Sequence, residues 1–250
     1  MKIEEFALGD SIVHRLDPRV KIVSALAFAV AVAVNHSLTA TLVAILFPVS
    51  LILAARMDLG RVLVRLALVN GFIAFLWIFL PFGVPGETIY SVGPLHVTRE
   101  GLYTAMLITA KSNSIVLATI ALLGTSPVFD LAHALSHLGC PDKLVHLFFF
   151  SFRYVHVIHD EYHRLRRAAK VRAFHPRTDI HTYRTFAYFI GMLLVRSFQR
   201  AQRILDAMKC RGFRGKFYIL HHYNMSRSDY AVGSASALVS VGLLVLTVAR

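Results

Sequence analysis

Val62–Leu80 reads VLVRLALVNGFIAFLWIFL: nineteen residues with a single charge, Arg65. Wound as a helix at about 1.5 Å per residue, the run is about 28 Å long, close to the ~30 Å hydrocarbon thickness of a bilayer. Ser37–Ala55, Leu102–Leu123 and Tyr230–Ala249 have the same character. Val20–Val34 is shorter and needs flanking residues to reach across. Asn35-His36 makes a tight turn between the first two runs. These runs predict an all-α membrane protein with about five transmembrane helices and its termini on opposite sides. Composition agrees. The 250 residues are 56% hydrophobic and 16% charged, with mean hydropathy +0.59, whereas a soluble domain carries roughly 25% charged residues.

The net charge of +13 suggests nucleic acid as a first partner, but the position of the charges argues for topology instead. Lysine and arginine mark cytosolic flanks. Lys2, Arg15, Arg19 and Lys21 lie in the N-terminal arm, and Arg56, Arg61 and Arg65 between the second and third runs. Seventeen more lie in 124–229. The Asn35-His36 turn has none, and the 81–101 loop has only Arg99. This alternation predicts a multi-pass protein of the cell membrane with the N-terminus and the 125–229 segment cytoplasmic. The lipid bilayer, not nucleic acid, is then the partner the basic excess answers to.

Three parts follow: an N-terminal membrane domain of four spans (1–124), a cytosolic domain of amphipathic and basic helices (125–229) and a C-terminal transmembrane helix (230–250). The arm Met1–Asp10 lacks the features of a signal peptide, so the first span is expected to be retained. Asp17 caps the first helix with Pro18 at its first position, and Arg19 and Lys21 are expected at the cytosolic headgroups. The outer loop is rich in glycine and proline, and alternation on either side of Gly93-Pro94 suggests a small hairpin. Thr98 then caps the fourth span, with Glu100 in its first turn. Lys111, an ionisable residue at membrane depth, is a functional candidate by that fact alone. The simpler expectation is that it pairs with an acceptor on a neighbouring helix.

In the cytosolic segment Ser126 is expected to cap a helix that has Pro127 as its first residue and ends at Gly139. A second helix, Lys143 to Arg172, starts aromatic and finishes charged, as an amphipathic helix against the membrane does. Glu161, Arg164, Ala168 and Arg172 fall on one of its faces. A third runs from about Ile180 to Arg211, its apolar stretch Phe186–Val195 too short to span. Arg196, Arg200, Arg203, Ala207 and Arg211 form one stripe along it, and Gly212 supplies a left-handed stop. Both helices end in an arginine, Arg172 and Arg211, preceded by a small alanine, Ala169 and Ala207. A guanidinium is a rigid five-donor fork suited to carboxylates on a partner.

Catalysis has little to stand on. His133/His137 and His159/His163 are each four apart, but Asp160, not glutamate, follows His159, so the HExxH order is not met and no third ligand is indicated. Solvated or interface histidines are the expectation, with no metal site. An intramembrane metal-dependent hydrolase is the rival of a different class. Gly-rich phosphate loop, GxSxG elbow and paired intramembrane carboxylates are all missing from the sequence. Cys140 and Cys210 show neither CxxC nor zinc spacing and are expected as reduced thiols. A stand-alone secondary carrier would need ionisable residues in several spans, and Lys111 is nearly alone there.

Several blocks resemble the transmembrane (T) component of energy-coupling factor transporters, the cobalt/nickel type most closely. They are Leu16-Asp17-Pro18-Arg19-Val20-Lys21, Thr125-Ser126-Pro127 with the Leu138-Gly139-Cys140-Pro141 break, Ala169-Lys170-Val171-Arg172-Ala173, and Ala207-Met208-Lys209-Cys210-Arg211-Gly212-Phe213. The resemblance implies a non-catalytic coupling subunit of an ATP-driven importer. It implies two partner ATP-binding-cassette ATPases that bind ATP and magnesium, and a separate substrate-binding membrane subunit. It assigns Arg172 and Arg211 to docking on the ATPases, with Ala169, Ala207 and Gly212 as close-contact positions and Arg196, Arg200 and Arg203 as a supporting basic stripe. Ala173 stands where the family has glycine. Cobalt or nickel is the cargo it implies, and a vitamin is the alternative within the same class.

Overall fold

The structure, a computed structural model, describes residues 9–92, 95–214 and 225–248. It divides into two compact units, Met1–Cys140 with Tyr223–Arg250, and Pro141–His222. Each is described by itself.

The first unit holds helices α1 (Pro18–Val34), α2 (Leu38–Ala44), α3 (Leu46–Ala54) and α4 (Leu59–Gly83), the strands β1 (Thr88–Val92) and β2 (Leu95–Thr98), then α5 (Arg99–Leu122) and α6 (Val128–His137). The second holds α7 (Asp142–Val171) and α8 (Ile180–Cys210), after which α9 (Arg227–Val248) returns to the first. Among the described residues three helices are long and apolar enough to cross a membrane: Leu59–Gly83, Arg99–Leu122 and Arg227–Thr247. Two shorter apolar pieces, α1 with 17 residues and Leu38–Ala54, pack with them. The second run is broken between Ala44 and Leu46. Pro48 has no N–H to give the Ala44 carbonyl, and its ring crowds that same carbonyl.

Helix α5 is central, packed against α1, α2, α3 and α4, while α9 lies along α1. Phe28, Ala31, Val32, Ala44, Ala118 and Leu243 form one buried cluster, and a second gathers Leu16, Leu51, Val62, Leu117 and Leu122. Helix α4 shows the opposite pattern: Val62, Ile73 and Pro81 are buried, while Leu63, Val64, Leu68, Phe72, Phe75, Ile78 and Phe79 are exposed. An apolar face of that extent is unsuited to water and suited to lipid.

Polar side chains set how the spans pair. Asn70 on α4 and Asn113 on α5 exchange amide hydrogen bonds at 3.0 and 3.1 Å. Trp77 Nε1 donates to Thr109 Oγ1 at 2.9 Å. Across helices in lipid such bonds fix rotation about the helix axes, because the surrounding chains offer no other partner.

Most start signals act as the sequence suggests. The Asp17 carboxylate accepts from Arg19 N–H at 2.9 Å, and Thr98 Oγ1 accepts from Gly101 N–H at 3.2 Å. The hairpin forms in the outer loop, with Val92 opposite Leu95 and Ser91 opposite His96; its Gly93-Pro94 tip lies outside the described residues. Two expectations are corrected. Ser126 does not cap α6: the helix starts at Val128 with Pro127 in the cap position and no side-chain cap bond, so Ser126 lies one residue too early, and its hydroxyl accepts from Lys21. Lys21 is accordingly not at the headgroups but fully buried. Helix α6, grouped by sequence with the cytosolic segment, packs on α1 through a small-residue face that buries Ala132 and Ala134. The division between units therefore falls after the Gly139 turn, at Cys140/Pro141.

Candidate functional site

The two arginine-bearing helix ends of the second unit are the same piece of backbone geometry. At the end of α7, Arg172 is the C-cap and Ala173 takes the left-handed conformation, φ 58°. Phe174 N–H then donates to Ala169 C=O and Ala173 N–H to Lys170 C=O, both at 3.1 Å. At the end of α8, Arg211 is the C-cap and Gly212 has φ 80°. Phe213 N–H donates to Met208 C=O at 3.1 Å and Gly212 N–H to Lys209 C=O at 2.9 Å. Both are Schellman closures, which satisfy the last carbonyls and stop the helix sharply. Each leaves an arginine at the tip followed by a phenylalanine. Arg172 and Arg211 are exposed, and among the described residues neither guanidinium has a hydrogen-bond or ion-pair partner. Ala169 is buried one turn before its arginine, whereas Ala207 is exposed.

Glu161 on α7 and Arg196 on α8 hold the two helices together through a charge-assisted hydrogen bond, and Arg164 approaches the other carboxylate oxygen at 3.5 Å. The Glu161 side chain is only 11% exposed, that of Arg196 46%. The Arg196 hydrogen bond holds the Glu161 carboxyl below its ordinary value against the opposing effect of burial, with Arg164 and Arg200 adding to it. Beyond α7 the chain folds back: the Phe174 ring packs on Phe186 and Phe189 of α8, at 6.3 Å from each. Arg177 N–H donates to Thr182 Oγ1 at 3.0 Å. The tail of α7 thus lies beside the first half of α8, so the two helices run against each other. From the Glu161–Arg196 contact Arg172 lies about 16 Å along α7, and Arg211 about 22 Å along α8 in the opposing sense. The tips point apart.

The basic stripe has divided roles. Arg196 is committed to Glu161, and Arg200 is close enough to act on the same carboxylate. Arg203 is exposed. Lys111 on α5 donates to the Ala33 carbonyl at 2.8 Å, near the end of α1.

A polar cluster in the first unit joins residues that lie far apart in sequence. The buried Lys21 ammonium donates to Ser126 Oγ at 2.6 Å, Thr125 Oγ1 at 3.2 Å and His14 C=O at 3.3 Å. Close by, Asp229 at the start of α9 accepts from Asp17 N–H at 2.8 Å and from Ser226 N–H at 2.6 Å. The cluster ties the start of α1, the α5–α6 junction and the start of α9 at one point. Its members are up to 212 residues apart; the faint signal is that Lys21 and Ser126 both lie in short polar blocks at the mouths of apolar runs.

A protein-family model described as CbiQ, cobalt transport protein, matches residues 9–219. The chain belongs to that family. Among similar proteins, the energy-coupling factor transporter transmembrane protein EcfT of Thermosediminibacter oceani is 25% identical over 252 residues, covering 96% of this chain and 95% of its own. The protein of the same name from Heliobacterium modesticaldum is 28% identical, covering 89% and 88%. That of Streptococcus thermophilus is 28% identical, covering 85% of each chain. The family match takes in both arginine tips, the Glu161–Arg196 contact and the Lys21 side of the polar cluster, and stops before α9. This member of the cobalt transport protein family thus places its two tips on one pair of opposed helices.

Proposed function

We propose that this chain is the transmembrane coupling subunit of an ATP-driven importer of the energy-coupling factor type, carrying cobalt or nickel ions. The observation that carries the reading is the pair of matching Schellman-closed tips, each ending in an exposed arginine and pointing apart from a common contact. One tip fits a carboxylate-lined groove on one ATPase, and the diverging second tip fits the same groove on another. Two nucleotide-binding subunits follow, with ATP and magnesium held by them and no cofactor on this chain. Movement of the ATPases shifts α7 and α8, pinned to each other by Glu161 and Arg196, and the amphipathic faces around Phe148–Tyr154 and Phe186–Leu194 pass that shift to a separate substrate-binding membrane subunit. The chain itself is non-catalytic.

The names of the similar proteins support the energy-coupling factor class, and the family description supports cobalt; a vitamin is the alternative cargo. The lysine and arginine distribution supports a cytosolic N-terminus and cytosolic tips, in the cell membrane. The test is the double charge reversal Arg172→Glu, Arg211→Glu in the chain co-expressed with its ATPases and substrate-binding subunit. Cobalt uptake is expected to be lost while the variant still inserts in the membrane. Undiminished uptake would overturn the proposal, and uptake of a vitamin in place of cobalt or nickel would replace the cargo.

A further inference from the structure

The histidines read from sequence as solvated are aimed at one another. His159 and His163, one turn apart on α7, bring Nε2 to within 3.0 Å of Nε2, their rings edge-on with centroids 4.4 Å apart. His159 is exposed and His163 half-buried. Both side chains hang from one continuous helix, on one face and a turn apart. An imidazole nitrogen sits about 2.0–2.1 Å from a bound divalent first-row ion. Two nitrogens 3.0 Å apart are within reach of one such ion once both lone pairs turn toward it. Imidazole nitrogens suit the late first-row divalent ions, Ni²⁺ and Cu²⁺ among them.

We propose that His159 and His163 form a two-histidine surface site for a late first-row divalent ion. In the loaded site each ring presents its Nε2 lone pair and carries its hydrogen on Nδ1. The hydrogen that bridges the two Nε2 atoms in the empty pair moves to Nδ1 of its ring, so neutral rings bind without net proton release. Among the described residues no group of three histidine, cysteine, aspartate or glutamate side chains is arranged to hold a metal. Water, or a ligand that arrives with the ion, fills the other positions. The site does not depend on the coupling role: it uses neither arginine tip nor the Glu161–Arg196 contact.

The probe is Ni²⁺, titrated calorimetrically into the full chain in detergent. His133 and His137 on α6, at 3.2 Å, are first replaced by glutamine so that they do not contribute. In that background one Ni²⁺ per chain is expected. His159→Gln or His163→Gln alone should weaken it by at least about tenfold, since the second nitrogen binds as an intramolecular ligand. His156→Gln should leave it unchanged. Unaltered stoichiometry and affinity after replacing both histidines would overturn the proposal. A readout free of substitutions runs in parallel: Ni²⁺ should protect His159 and His163 from carbethoxylation, followed by mass spectrometry. Equal modification with and without the ion would also overturn it.

Discussion

Ala173 and Gly212 hold the same place, one residue beyond the C-cap, with unequal freedom to be there. For an L-residue with a Cβ the left-handed conformation costs about 1–2 kcal/mol, a cost that glycine escapes. Ala173→Gly is accordingly expected to stabilise the end of α7 by about 1 kcal/mol, and Gly212→Ala to destabilise the end of α8 by a similar amount. Nothing lies within 4 Å of a Cβ added at Gly212, so that cost is one of backbone conformation alone. Amide hydrogen exchange over 168–174 and 207–213 measures both. The arginine-tip pattern was legible because a helix stop is a local matter of a few residues. Lys21 was not. Its partners Thr125 and Ser126 are 104 and 105 positions away, and only folding brings them together. Removing the ammonium leaves buried hydroxyls short of a donor, so Lys21→Met is expected to cost about 1–3 kcal/mol, read as a lowered melting temperature in detergent.

At the scale of elements, α7 and α8 depend on one carboxylate. Glu161 has its carboxyl held below the ordinary value by Arg196. A group lowered in the folded state contributes stability that is fully present above its unfolded value and is lost as pH falls through the folded one. Pairing of α7 with α8, followed by spin-label distances between them, is thus expected to be constant from neutral pH down to about pH 5 and to loosen only in stronger acid. Glu161→Gln should loosen it at every pH. The heptad-like placement of Glu161 on one face of α7 was readable from spacing, yet which arginine it meets was not, since Arg196, Arg200 and Arg203 share one stripe. The break between α2 and α3 was missed at this scale as well: hydropathy runs smoothly through Leu38–Ala54, and only the carbonyl four residues before Pro48 registers the lost bond.

For the whole molecule the diverging tips make a distinct expectation. Under the proposed docking of the two tips, Arg172→Glu and Arg211→Glu taken singly should each weaken association with the proposed ATPase partners, and each should also reduce uptake. The double variant should lose binding in a pull-down altogether. Cys210, exposed beside Arg211, reports which side the tip faces. A membrane-impermeant maleimide is expected to label it in inside-out vesicles and not in right-side-out ones. Labelling from outside would invert the orientation read from the positive charges.

Hydropathy, charge placement and helix-stop chemistry are properties of short stretches, and they sufficed for an α-helical membrane protein, for its hairpin and the Asp17 and Thr98 caps, and for two arginines at helix ends. The tertiary structure decided what depends on pairs far apart in the chain. It put Lys21 in the interior beside Ser126, gave Arg196 and not its neighbours on the stripe to Glu161, placed α6 with the membrane helices and set the two tips pointing apart. Local sequence fixes a residue's conformation through sterics over a few bonds. Which buried donor finds which acceptor is settled by packing, where an unmet polar group costs too much to be left alone.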